Sequence, residues 1–379
     1  QLALNGADLV ITTYGLARSD EKVLSTKKWS VVVIDEAQNI KNPAAKQSKA
    51  VKKMKAPVKI AMSGTPVENR LSEYWSIFDF VNKKYLGSAK HFQKEFAIPI
   101  EKDRDQNKQE KFRKITQPFI IRRLKTDKTI IRDLPDKIQN NKFVKLTQEQ
   151  AGIYQNAVDN IMAAIEGIEE QYDIERQGLV LKLMTSLKQI CNHPSQFLKK
   201  DDYTPELSGK AVLLLELLEK IYESNEKVLI FTQYKEMGVL LEKMIQEYLH
   251  NETLFLHGGI SRKNRDKMVN DFQEKPHLKT FILSIKAAGT GLNLTAANHV
   301  VHYDLWWNPA VENQATDRAF RIGQQKNVMV YRLITQGSFE EKINEMISSK
   351  KELADLTVAT GEKWIGKLSN QELKEIVQV

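Results

Sequence analysis

The chain has 379 residues, and its 57 lysines and arginines against 48 aspartates and glutamates give a formal net charge of +9. This length predicts two or three domains, and the near balance of charges confines any nucleic-acid surface to a patch. The single cysteine, Cys191, excludes an internal disulfide framework and a multi-cysteine zinc site, and it indicates a reducing setting with a buried, inert thiol. No window approaches the roughly 18 uninterrupted apolar residues of a membrane span, so a soluble, cytoplasmic protein is expected.

The first apolar runs of the chain predict strands. Asp8–Tyr14 is predicted to be a buried strand already inside a fold, and because the chain starts without methionine we expect a fragment. Val31–Ile34 is a continuous β-branched run, typical of a parallel strand covered on both faces, and Asp35 and Glu36 follow it. Open parallel sheets bind ligands beyond the carboxyl ends of their strands, so this acidic pair is predicted to hold Mg²⁺ and orient a water on a nucleoside triphosphate. The alternative is that the two acids cap a helix.

The middle of the chain is predicted to be mostly helical. A second strand, Lys59–Met62, leads into the turn Ser63-Gly64-Thr65-Pro66, and Tyr74–Gln117 predicts a helical excursion with an exposed charged loop. Pro135 is predicted to close the first domain. From Thr147 to about Leu198 the pattern is helical, without strand signals, and predicts an insertion or bridge.

After Gly209 strands and helices alternate again, which predicts a second parallel sheet with right-handed crossovers and a helical tail from Ser338. The predicted strands of this sheet are Val228–Phe231, Thr253–Leu256, Thr280–Leu283, Val300–Tyr303 and Val328–Tyr331.

The stretch Asp304–Gln325 combines two tryptophans, an amide and two arginines. Gln314, Arg318 and Arg321 are predicted to share one face of a helix that starts near Pro309 and ends before Gly323. Arginines held on a rigid element suit phosphate, because the guanidinium donates two parallel hydrogen bonds and is always charged. The alternative is a solvated basic helix face.

Five ordered motifs resemble motifs II to VI of superfamily-two helicases. Four further segments resemble, more narrowly, the Swi/Snf-type chromatin-remodelling ATPases, whose bacterial and archaeal members include RNA-polymerase-recycling and DNA-repair translocases. The five motifs are Asp35–Gln38, Ser63–Pro66, Phe231–Tyr234, Ser284–Leu294 and Gln314–Gln324, and the four segments are Trp307–Pro309, Arg321–Gln324, Leu187–Pro194 and Phe119–Leu124.

The resemblance implies an α/β protein with two RecA-like parallel-sheet lobes, the first incomplete, and helical insertions between them. The expected division is residues 1–138 for lobe one with a helical protrusion at about 74–117, 139–205 for the helical bridge, 206–345 for lobe two and 346–379 for a helical tail. The implied activity is an ATP-driven double-stranded-DNA translocase, associated with the nucleoid and acting on a DNA-bound protein such as RNA polymerase. The alternatives are an RNA or DNA helicase, and a DNA- or protein-binding module that does not hydrolyse ATP.

The resemblance also assigns residues to ATP, Mg²⁺ and DNA. Asp35 would position Mg²⁺, Glu36 would activate the attacking water, and Arg318 and Arg321 would act as arginine fingers across the lobe interface. Gln314 would line the same cleft, and the motif-V glycines would contact the nucleotide. The residues implied are Gly289 and Gly291 for the nucleotide, and Thr13, Tyr14, Lys41, Asn42, Gln233, Arg262, Lys286 and Trp307 for a groove that tracks duplex DNA, with a place in the core as the alternative for Trp307.

One element of the family pattern is not found: the P-loop that should precede motif II. Gly361–Lys367 has the P-loop spacing, but Leu368 replaces the Mg²⁺-binding Ser or Thr, and Ser369–Glu372 predicts a capping box at the start of a terminal helix. The chain alone is therefore expected to bind DNA weakly, to bind ATP barely, and to hydrolyse it no faster than a Glu36→Gln control. It is also expected to expose apolar surface near Val31–Ile34.

Overall fold

The computed structural model describes residues 6–64, 71–103, 105–121, 123, 134–168, 173–284, 291–353, 366 and 368–378. The chain divides into two units: among the described residues, the first comprises residues 6–121 and the second comprises those from 123 to 378. The boundaries expected at residues 138, 205 and 345 remain predictions. Within the described part of the chain, no helix combines the length and the apolar character that a membrane crossing requires.

The first unit contains, in its described residues, a two-stranded parallel sheet with helices packed around it. Strand β1 spans Val31–Ile34 and β2 spans Val58–Ala61, with Val31 paired to Val58 and Ile34 to Ala61. Both strands were predicted. The helices of this unit are α1 Tyr14–Ser19, α2 Glu21–Thr26, α3 Lys46–Lys53, α4 Leu71–Val81, α5 Ala89–Phe92, α6 Ile98–Glu101 and α7 Gln106–Thr116, joined by the π-helical Gln93–Ala97 and the 3₁₀ turns Ala37–Ile40 and Gln117–Phe119.

One face of this small sheet is half exposed. Val31 and Val33 keep 47% and 52% of their surface, and their neighbours on β2, Val58 and Ile60, keep 47% and 45%. Successive side chains of a strand point to opposite faces, so these four residues form one apolar face. The prediction that β1 is covered on both faces is therefore wrong for this face. The apolar surface expected near Val31–Ile34 is exposed.

The prediction of a buried strand at Asp8–Tyr14 is also wrong. Leu9 and Ile11 are 77% and 87% exposed, and helix α1 begins at Tyr14. The Thr13 hydroxyl accepts a hydrogen bond from the Leu16 backbone N–H at 3.2 Å, which caps the helix. An apolar run becomes a strand only where a neighbouring strand accepts its hydrogen bonds, and here local capping decides the structure instead.

The second unit is built on a six-stranded sheet in the order β3-β8-β7-β4-β6-β5, and every neighbouring pair is parallel. The five strands that the sequence predicted are confirmed. The strands are β3 Lys137–Val144, β4 Val228–Thr232, β5 Thr253–Leu256, β6 Thr280–Ser284, β7 His299–His302 and β8 Val328–Thr335.

Strand β3 lies partly within residues 139–205, where the sequence predicted a helical bridge, so that prediction is wrong for residues 139–144. Its sequence, KIQNNKFV, lacks a continuous apolar run, and half of its eight residues are exposed. Pairing with β8 over eight residues, from Lys137–Val328 to Val144–Thr335, decides its conformation. This long-range partner cannot be seen in local sequence.

Helices pack against the second sheet, and three further helices make up the described part of Thr147–Leu198, which was predicted to be helical. The role of this stretch as an insertion or bridge stays a prediction. Thr147 and Gln150 make a reciprocal capping box at the start of the first of these helices. Cys191 is buried, as predicted, and burial raises the pKa of its thiol. The capping box at Ser369 is confirmed, whereas most of Gly361–Lys367 lies outside the described residues. The helices are α8 Gln148–Glu166, α9 Asp173–Asn192, α10 Pro194–Leu198, α11 Gly209–Glu223, α12 Lys235–Tyr248, α13 Arg262–Glu274, α14 Pro309–Thr316, α15 Phe339–Leu353 and α16 Asn370–Val377, with a 3₁₀ turn at Pro205–Leu207.

Candidate functional site

The acidic pair forms a tight turn at the carboxyl end of β1. The Met62 N–H donates to the Ile34 carbonyl at 2.8 Å, and the Ala37 N–H donates to the Met62 carbonyl at 2.9 Å, so the segment after β2 holds the turn from both sides. Between these anchors Glu36 adopts a left-handed conformation with φ 49° and ψ 55°. Such a conformation costs a non-glycine residue on the order of 1–3 kcal/mol, and it is typical of functional sites.

The Glu36 carboxylate is held in place by side chains. Gln38 Nε2 donates to Glu36 Oε2 at 2.6 Å, and the Ser63 hydroxyl donates to Gln38 Oε1 at 2.8 Å. This chain connects the acidic turn to the Ser63–Pro66 turn, whose residues from 65 onwards lie outside the described residues. Glu36 makes no side-chain capping bond to the 3₁₀ turn that follows, which argues against the helix-cap alternative.

Of the residues expected to contact DNA in the first unit, Tyr14 has a different partner in the structure. Its hydroxyl donates to the Asp35 carbonyl at 2.6 Å, and burial together with the nearby charges of Asp35 and Glu36 raises the pKa of Tyr14 to about 12. Thr13 and Asn42 are exposed, and the Asn42 side chain accepts from the Ala44 N–H at 2.9 Å. Lys41, which directly precedes Asn42, is half-buried. For these residues contact with DNA stays a prediction.

The prediction that Gln314, Arg318 and Arg321 share a helical face is wrong. Helix α14 begins at Pro309, with Asn308 as its cap, and ends at Thr316, so Gln314 lies on the helix whereas both arginines lie in the turns after it. The Arg318 N–H bonds to the Ala315 carbonyl and the Arg321 N–H to the Ala319 carbonyl, which are tighter turns than an α-helix makes.

The buried amide of Gln324 holds the turns that follow the helix. Its Nε2 donates to the carbonyls of Thr295, Ala297 and Ala319, at 3.1, 2.8 and 3.2 Å, and folds the chain back onto the loop before β7. The sequence motif contains Gln324, but no local pattern assigned it this role. A buried amide that bridges two loops fixes the loops relative to each other.

These turns bring Arg321 to Gly291. Arg321 is exposed, and its Nη1 donates to the carbonyls of Gly291 and Leu292 at 3.3 Å each. The Leu294 N–H donates to the Arg318 carbonyl at 3.0 Å, and the Arg318 side chain is buried. Two segments to which the resemblance assigned nucleotide contacts therefore lie together. Lys286 and Gly289, from the same motif, lie outside the described residues.

Trp307 belongs to a buried hydrophobic cluster of the second unit. Only 5% of its surface is exposed, the Lys188 Nζ lies 3.7 Å from its ring centroid, and Phe339 packs edge-on against it. This burial is what the core alternative expects, and contact of Trp307 with DNA stays a prediction. The burial arises because α9 supplies Lys188 and covers the indole.

A buried polar network surrounds Trp307. The carboxylate of Asp304, which is fully buried, accepts from the Thr232 hydroxyl at 2.5 Å and from the Gln233 N–H at 3.0 Å. Burial raises the pKa of Asp304, and Lys188 and Thr232 oppose that rise. The Gln233 amide donates to the Leu305 carbonyl at 2.8 Å and accepts from Lys188 at 3.3 Å. Gln233, in the motif Phe231–Tyr234, thus contacts the start of the stretch Asp304–Gln325, which carries the two arginines. Contact of Gln233 with DNA stays a prediction.

We expect Trp307→Ala to lower the free energy of unfolding by about 3–5 kcal/mol, because it removes a large buried ring and leaves a cavity. Below its melting temperature the variant should retain duplex-DNA affinity. Chemical denaturation and a DNA titration measure the two quantities. Trp306→Ala is the matched control, and its loss should be smaller because Trp306 is only partly buried. A Trp307→Ala variant that is as stable as wild type but binds DNA more weakly would show that Trp307 contacts DNA.

The acidic turn suits a metal ion that binds together with a nucleotide. Asp35 is exposed at the end of β1, and one of its oxygens accepts the Glu36 N–H at 2.8 Å. Among the described residues there is no group of three or more His, Cys, Asp or Glu side chains that could hold a metal ion. Mg²⁺ commonly binds through one or two carboxylates together with water and substrate phosphates, so Asp35 fits such an ion.

Two family models match the chain, one over its first half and one over most of its second half. The family model of the SNF2-related domain matches residues 1–196, and the helicase conserved C-terminal domain matches residues 209–323. The chain is 47% identical to the putative ATP-dependent helicase/translocase YwqA of Bacillus subtilis, covering 98% of this chain and 40% of that protein. It is 34% identical to the human DNA excision repair protein ERCC-6, covering 88% of this chain and 24% of that protein. The chain thus spans less than half the length of these relatives.

Solved structures of SWI2/SNF2 ATPases are similar to this chain. The SWI2/SNF2 ATPase core of Sulfolobus solfataricus in complex with dsDNA is 42% identical, with a TM-score of 0.59, covering 98% of this chain and 77% of that one. The C-terminal domain of the same ATPase is 38% identical, with a TM-score of 0.55, covering 64% of this chain and 98% of that one. These matches confirm the α/β fold class with RecA-like parallel-sheet lobes, and they confirm the resemblance. The chain belongs to the SNF2-related, Swi2/Snf2-type family of helicase-like proteins.

Proposed function

We propose that this chain is part of an ATP-dependent translocase that moves along double-stranded DNA and remodels protein–DNA complexes. The observation that carries the proposal is the held carboxylate of Glu36 at the end of β1, in a chain that is similar over 98% of its length to an ATPase core in complex with dsDNA. The relatives are named as a putative ATP-dependent helicase/translocase and a DNA excision repair protein, and the similar ATPase core is in complex with dsDNA, which supports DNA as the partner.

In this proposal Glu36 performs the proton chemistry. Its carboxylate orients the attacking water and accepts a proton from it, while the Gln38 amide, itself held by Ser63, keeps the carboxylate aimed. Asp35 would hold the nucleotide's Mg²⁺, which neutralises phosphate charge when bound. Arg321 would stabilise charge that develops on the transferred phosphoryl group, with Gly291 beside it and Gln314 and Arg318 in the same segment.

Stimulation of ATP hydrolysis by different nucleic acids tests this function. In the complete protein, duplex DNA should increase phosphate release, and single-stranded RNA of equal length should not. A larger stimulation by RNA would indicate the helicase alternative. DNA binding without any nucleotide turnover would indicate a binding module.

We expect DNA binding to depend steeply on salt and little on base sequence, because contacts to phosphates release counterions. Arg262 is exposed at the first position of α13, and Arg262→Ala should make the salt slope shallower by about one unit. Fluorescence titrations at several salt concentrations give the slope. Lys243→Ala is the control and should leave the salt slope unchanged, because Lys243 lies on α12 and is already paired with Asp201. An unchanged slope in Arg262→Ala would remove Arg262 from the phosphate contacts.

A further inference from the structure

We propose that Tyr14 is a positioning residue for Glu36 and acts through the backbone of the acidic turn; this inference rests on the proposed ATPase function. The Tyr14 hydroxyl lies 2.6 Å from the Asp35 carbonyl oxygen and 3.4 Å from the Glu36 carbonyl oxygen. One donor thus spans the carbonyls on both sides of the Glu36 α-carbon. The Tyr14 ring packs beside the buried cluster that includes Ile34 and Ala37.

The Glu36 backbone needs such support because its left-handed conformation is costly. The Asp35 carbonyl belongs to the peptide plane whose rotation sets φ of Glu36, which is 49°. A donor fixed to that oxygen resists rotation out of the left-handed region. A phenolic hydroxyl is protonated at neutral pH, so the Tyr14 hydroxyl can donate this bond.

Tyr14 is itself held by the fold. It is the first residue of α1, behind the Thr13 cap, and the Ala17 N–H bonds to the Thr13 carbonyl at 2.8 Å. The other supports of Glu36 come from the acidic turn itself: Gln38 binds its carboxylate, the Asn39 side chain donates to its carbonyl at 3.0 Å, and the Asp35 carboxylate accepts its N–H at 2.8 Å. The bond from Tyr14 to the Asp35 carbonyl adds a constraint from α1, outside the turn, on the peptide that precedes Glu36.

Tyr14→Phe removes only the hydroxyl. In the complete protein we expect kcat for DNA-stimulated ATP hydrolysis to fall about tenfold, because a loosened turn populates unproductive orientations of Glu36. The KM for ATP and the Kd for duplex DNA should stay within about twofold, since no ligand contact is removed. Tyr85→Phe is the matched control, because the Tyr85 hydroxyl also donates to a backbone carbonyl of the first unit, that of Ile115 at 3.2 Å. It should behave as wild type.

Hydrogen exchange separates this inference from the proposed function. The peptide covering residues 34–40 contains the Ala37 and Asn39 amides, which donate to the carbonyls of Met62 and Glu36. Tyr14→Phe should speed the hydrogen exchange of this peptide, whereas Tyr85→Phe should not. Unchanged exchange together with unchanged kcat would overturn the proposal, as would a loss confined to DNA affinity, which would make Tyr14 a DNA contact. A wild-type protein without DNA-stimulated turnover would reject the proposed function, and the exchange comparison would still decide whether Tyr14 holds the turn.

Discussion

Replacing Glu36 with glutamine is expected to lower ATP turnover in the complete protein by about 10²- to 10⁴-fold, the range over which a general base contributes. Glutamine has nearly the same shape as glutamate, and its amide oxygen can still accept from the Gln38 side chain, which now bonds to Glu36 Oε2. Nucleotide and duplex-DNA affinities should therefore persist, while the group that accepts the proton from water is lost. Steady-state phosphate release and separate binding titrations measure the two effects.

Glu149→Gln provides the matched control for this variant. Glu149 is exposed in the first turn of α8, so the same change of acid to amide there should leave turnover intact. Continued hydrolysis in Glu36→Gln would show that the left-handed acidic turn has only a structural role, and the search for the base would move to another residue.

Arg321→Ala is expected to cost about 10³-fold or more in turnover, as loss of an arginine finger does in related phosphoryl transfer. The loss of DNA affinity should be far smaller. Arg321 is exposed and already lies against the Gly291 loop, so its guanidinium is available where the resemblance assigns a nucleotide. Arg321→Lys should recover little of the activity, because an ammonium cannot reproduce two parallel hydrogen bonds.

A structural role for Arg321 would give a different result. Its bonds to the carbonyls of Gly291 and Leu292 stabilise the loop, so a variant that melts earlier but turns over ATP normally would show that the arginine acts only there. Arg113→Ala, at an exposed arginine on α7, is the control for removal of a surface cation. It should match wild type in both turnover and melting temperature.

Helix α9 is joined to the rest of the second unit by a buried polar network. The buried Lys210 pairs with the buried Glu340 at 2.8 Å and donates to Asn192 of α9 at 3.4 Å, and Asn192 donates to Asp304 at 3.3 Å. Removing one partner of the Lys210–Glu340 pair would leave an uncompensated buried charge, so it should be strongly destabilising. The segment Leu187–Pro194, which the resemblance singled out, supplies this contact.

Several features of this protein could be predicted from its sequence because they depend on local pattern. Continuous apolar runs such as Val228–Phe231 are typical of parallel strands buried on both faces, and acids directly after Ile34 lie at the carboxyl end of a strand. The order and spacing of the motifs also sufficed to identify the family, since five motifs in one order rarely coincide by chance.

Tertiary structure alone decided the rest, because each of these features depends on a partner distant in sequence. Helix α14 ends at Thr316, and the Gln324 side chain bonds back to Thr295 and Ala297, so both arginines lie in turns that are held by a distant loop. Trp307 is buried because Lys188, more than a hundred residues earlier, covers its ring. The Tyr14 hydroxyl reaches the Asp35 carbonyl only because α1 packs beside the turn after β1. Helical periodicity and composition carry no information about such contacts, whose hydrogen bonds and packing outweigh local preference.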